Sequence, residues 1–238
     1  MTPPGRLGIS VQANERGALL ALLPIAATID YYALPDSLQE QVLIQFAPQL
    51  IGYLALVLWA VHNDSVLRRL GLERGLWNRG AKLGVVTGLL LGCFNSLVIL
   101  LVLSWLGWDI TFLTQTPHAR VPVMVMVPWC IAVIAIVVEI NFRGFLLGRL
   151  AALESGLWPQ PALRQLSPAA LLTSALVFAA DPFMVNTFKQ LHWIALWDGL
   201  IWAVLWIRTR NLFATIVAHA IEVIIVYSAV RTVLMSES

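Results

Sequence analysis

Five side chains carry chemistry that an apolar chain does not need: Glu139, Arg143, Asp181, His219 and Glu222. Each sits within or beside a long apolar run. An ionisable group inside hydrocarbon is costly, and is retained where it faces a protein interior or a wet cavity. Glu139 and Arg143 are spaced i, i+4, so they share a helix face and can pair, while Asn141 points elsewhere. The plain reading of that pair is a neutralising ion pair near a helix end. His219 and Glu222 are spaced i, i+3 and also share a face, deep within the last apolar run. Asp181 precedes Pro182, which disfavours helical geometry at Asp181 and marks a break or a helix end. Asp198, with His192 before it, reads most simply as a polar contact between helices. If Glu139, Asp181, His219 and Glu222 converge, they form a polar pocket. A carboxylate there could activate water as a general base, with Arg143 and His219 stabilising negative charge. The same groups could hold a divalent metal.

The elements that would position these residues are transmembrane helices. Of the 238 residues 59% are hydrophobic and only 12% charged, half the charge of a typical soluble domain, and the mean hydropathy is +0.81. Apolar runs occur at about Gly17–Leu34, Gln41–Val61, Ala81–Trp108, Val121–Leu153, Pro168–Met184, Leu191–Ile207 and Leu212–Leu234. They predict an all-α polytopic bundle of about seven spans. The fourth run exceeds one bilayer crossing, so its second half is expected to project or to lie along the interface. Residues 1–65 hold the N-terminal helices and 66–234 the core, in a single membrane domain. No cleavable signal pattern precedes the first run. Cys93 and Cys130 lie inside apolar runs and read as small buried residues. Arg68, Arg69, Arg74, Arg79 and Lys82 cluster between the second and third runs, and Arg208 and Arg210 between the last two. The positive-inside rule then expects the N-terminus and basic loops in the cytoplasm and the C-terminus on the opposite side. The net charge of +2 gives no argument for nucleic acid.

Four segments resemble one family, the CPBP intramembrane proteases related to CAAX prenyl endopeptidases and bacteriocin-processing proteins. LRRLGLERGLW (67–77) looks like the family's cytoplasmic lead-in to a Gly-rich span. VEINFRGFLLGRL (138–150) resembles its Glu-Glu-x-x-x-Arg motif, and SALVFAADP (174–182) its Phe-x-x-x-His motif. WAVLWIRTRNLFATIVAHAIEV (202–223) resembles the closing region, a turn leading to His-x-x-x-Asn. The resemblance implies peptide-bond hydrolysis near the membrane, with a membrane protein or peptide as substrate. Glu139, Arg143 and His219 carry over. The water-activating glutamate falls at Val138, the second-motif histidine at Pro182 and the last asparagine at Val223. Two expectations follow. In a rebuilt site, Glu139 or Glu222 activates water, Asp181 replaces the missing histidine, and His219 with Arg143 supports the oxyanion. In a non-catalytic descendant, the chain is a membrane-embedded subunit binding a partner protein, lipid or hydrophobic cofactor. No cofactor is required on either view; a divalent metal is compatible with the first. A transporter fits less well, for want of an internal repeat.

Overall fold

The computed structural model describes residues 16–157 and 167–235, apart from the side chains of Cys130, Ile131 and Met235. The described residues are 86% helical, with no strand among them. The principal helices are α1 (Leu22–Tyr32), α2 (Ala47–Val61), α3 (Trp77–Leu97), α4 (Val123–Leu157), α5 (Pro168–Ala179), α6 (Pro182–Phe188), α7 (Ile194–Thr209) and α8 (Leu212–Met235). Among the described residues, three stretches are long and apolar enough to cross a bilayer: Val66–Leu103, Val123–Leu157 and Leu212–Leu234. A fourth forms if α5 and the segment Pro182–Leu191 count as one span, bent by 50° at Asp181–Pro182. α1 and α2 are shorter apolar helices, so the runs expected as first and second spans form helices of reduced length.

The tightest seam lies between α3 and α8. Gly80, Gly84, Gly88 and Gly92 recur every four residues and therefore form one stripe along α3. Their missing Cβ atoms are what admit α8. A Cβ on Gly84 would stand 2.6 Å from Val217 Cβ, and one on Gly88 2.6 Å from the Ala218 carbonyl oxygen. Small residues at such a stripe let two helix backbones approach, the usual source of packing where lipid removes the hydrophobic drive. Asn211 caps α8 by accepting from Phe213 N (3.1 Å), and its amide donates to the Leu76 carbonyl (2.8 Å). One helical break is thereby tied to the start of α3.

α4 is one helix with two widened π turns, Cys130–Ala135 and Ile140–Leu147. Its second half is packed within the bundle. Residues 141–151 are all buried. Gly144 packs against Leu70 and Leu212, and Gly148 against Trp206, so the surface that length alone assigns to the interface is enclosed by neighbouring helices. Asn141 fits beside Gly52 of α2, where a Cβ would sit 2.8 Å from its amide nitrogen. Cys93 is likewise exposed rather than buried, beyond the glycine face of α3, and the Cys130 side chain lies outside the described residues.

Candidate functional site

Glu139 and Arg143 come from adjacent turns of α4, at the start of its second π stretch, a distortion frequent at functional sites. Arg143 Nη1 lies 3.1 Å from Glu139 Oε1, and His219 Nδ1, from α8, lies 2.9 Å from the same oxygen. Glu139 is 0% and Arg143 1% exposed. The contact with Glu139 is an ion pair without hydrogen-bond geometry, and none of the three guanidinium nitrogens of Arg143 makes a hydrogen bond; the group lies 4.2 Å from the Phe178 ring centre and 5.0 Å from that of Trp202. The π faces of those rings supply the electrostatic contact that water would give at a surface. His219 stacks on Trp202 with ring centres 4.3 Å apart. The first and last sequence motifs thus meet in one buried triad, flanked by aromatic rings from α5 and α7.

A second polar unit stands one turn away on α7 and α8. The Asn95 amide, from α3, donates to both oxygens of Asp198 (3.1 and 3.0 Å) and to Glu222 Oε1 (2.9 Å). Its carbonyl accepts from Trp197 Nε1 at 3.0 Å. All three of Asn95, Asp198 and Glu222 are buried. Asp198 therefore contacts another helix, as expected, but its partner is Asn95 and not His192. Asn95 did not stand out in the sequence because it carries no charge. Its signal was an amide inside an apolar run, where it must find partners in a neighbouring helix.

Asp181 stands at the break between α5 and α6. It caps α6, its Oδ1 accepting from Met184 N at 3.2 Å, and Oδ2 accepts from Gln49 of α2 at 3.0 Å. We expect Asp181→Ala to cost about 1 kcal/mol through the lost cap and Asp181→Asn appreciably less; thermal unfolding in detergent checks both.

A cavity of about 420 Å³ connects these units. Asp181, Asp198, His219 and Glu222 line it together with Gln49 and Asn95, and the rest of the wall is mainly apolar. Neither Glu139 nor Arg143 is among the described residues lining it. His118, on the short helix Pro117–Arg120, closes one side against Phe183 and Phe188. Burial holds its imidazole below the usual pKa. Among the described residues, no group of three or more His, Cys, Asp or Glu side chains is placed to hold a metal ion.

Fold and site define an integral membrane protein: a helical bundle around a buried charged centre. Residues 120–225 match the family model described as type II CAAX prenyl endopeptidase Rce1-like, and over that stretch the chain is CAAX protease-like. The match encloses three of the four segments that carried the resemblance. No curated protein and no solved structure matches the chain.

Proposed function

We propose that the chain uses the CAAX protease-like bundle to bind an amphiphilic molecule or a partner's apolar segment, without hydrolysing peptides. One observation carries this reading. Glu139, the carried-over glutamate, is sealed from the cavity, and its Oε1 faces Arg143 and His219. A general base must reach its water directly or through one intervening water. Glu139 acts instead as the counter-ion that holds Arg143 and His219 in place. Asp181 is engaged in its cap, away from the role of a replacement histidine. The cavity falls within the size range of small-molecule sites and combines an apolar wall with a few convergent polar groups, as such sites do. The basic connections support a cytoplasmic N-terminus, and the reading requires no metal.

The test is a cleavage assay on the full chain in liposomes, with farnesylated CAAX peptides and membrane-spanning peptides as substrates. Native chain, Glu139→Gln, Glu222→Gln and His219→Ala are expected to match the protein-free rate. Cleavage by the native chain that disappears in any of the three variants overturns the proposal.

A further inference from the structure

The polar end of the cavity has an imbalance of charge. Behind the wall Arg143 faces Glu139 and also reaches Asp198 electrostatically, so one guanidinium serves three buried carboxyl groups, Glu139, Asp198 and Glu222. Asp198 and Glu222 line the cavity and share only the neutral amide of Asn95, whose carbonyl is taken by Trp197. The one arginine in the described wall, Arg231, is engaged elsewhere, donating to the Ala119 carbonyl and the Tyr227 hydroxyl. Two carboxylates in a desolvated wall favour a cationic donor.

A second observation points to a ligand independently. Trp202 borders the cavity, is 2% exposed, and its indole N–H has no partner. A buried donor of this kind is normally satisfied, so it marks the position of an acceptor. Trp202 lies one turn beyond Asp198 on α7, at i, i+4, and the two share a face. A head group reaching both needs a positive donor and an acceptor close together. Leu50 of α2 and Trp129 of α4 line the cavity and are 52% and 46% exposed. The mainly apolar wall, with these two large side chains in it, suits a hydrocarbon tail.

We infer that the cavity takes a lipophilic vicinal amino alcohol, with its ammonium on Asp198 and Glu222, its hydroxyl oxygen accepting from Trp202, and its chain along the apolar wall. This rests on the binding reading and names the ligand class for it.

The experiment uses the full chain in phosphatidylcholine nanodiscs and reads intrinsic tryptophan fluorescence during titration with 2-amino-1-dodecanol (aminododecanol below), dodecylamine, dodecanol or dodecanoate. Both amines are expected to bind at least about tenfold tighter than dodecanol, the margin of one charge-assisted contact. Asp198→Asn and Glu222→Gln should erase that margin while leaving dodecanol unchanged, which also reports that the variants fold. Trp202→Phe should reduce aminododecanol to the level of dodecylamine. Equal binding of amine and alcohol, a preference for dodecanoate, or an amine margin that survives both carboxylate changes overturns the inference while leaving the binding reading intact. Failure of every probe to bind, with peptide cleavage by the native chain, removes both.

Discussion

Gly88→Leu should leave little folded protein. The substituted Cβ would stand 2.6 Å from the Ala218 carbonyl oxygen and 2.9 Å from Ile221 Cβ. The first is backbone within α8, so relief requires the helices to separate. Overpacking against a side chain that can turn away costs about 1–3 kcal/mol. Here rotation offers no escape, and we expect a loss above about 3 kcal/mol, a large part of the net stability of a domain. Separation would also pull Asn95 from Glu222, so the polar centre should fail with the seam. Gly75→Leu is the matched control, because no heavy atom lies within 4 Å of its missing Cβ. Yield of monodisperse protein and thermal unfolding in detergent separate the two, and comparable melting of both variants would refute the seam's role.

The second large effect concerns the buried pair. Arg143→Met leaves Glu139 without its guanidinium, and Glu139→Leu leaves Arg143 among Phe178, Trp202 and Phe142 without its ion-pair partner. Removing one partner of a buried pair strands the other charge, at about 3–5 kcal/mol. Replacing both by apolar residues of similar volume avoids that penalty and is often near neutral. The double variant Glu139→Leu with Arg143→Met should therefore be more stable than either single one. A double-mutant cycle measures the coupling. Additive losses would mean that the two side chains act independently. The imidazole of His219 gives a further reading: in the double variant it loses its carboxylate partner, so its ring signals should shift in the NMR spectrum.

The Glu139–Arg143 pair was legible in the sequence because a helix turn alone brings i and i+4 together. His219 could be placed on one face with Glu222, but its bond to Glu139 spans 80 residues of chain and depends on how α8 meets α4. The seat of α8 on α3 is set by the glycine stripe, whose four-residue period is visible in the sequence although its partner residues on α8 are not. Asn95 went unnoticed because a neutral amide does not announce itself as an ionised group does; only a neighbouring helix reveals that it joins two carboxylates. Asp181 looked like a replacement for a catalytic histidine by position, yet the break imposed by Pro182 made its carboxylate a cap. The enclosure of α4 was not legible because hydropathy counts residues and says nothing of which helices pack around them. Gly144 and Gly148 let other helices close around it.

The α3–α8 contact has a mechanical consequence. Side chains that interdigitate can exchange rotamers and so allow one helix to creep past another. A row of absent side chains has nothing to exchange: the carbonyl of Ala218 and the branches of Val217 and Ile225 sit in notches with fixed spacing. The two helices therefore behave as a single keel, and Asn95 and Glu222 travel with it as one piece. Any opening of the cavity must come from the planks around that keel, through bending at the π turns of α4 or pivoting at Asp181–Pro182, rather than from the keel itself.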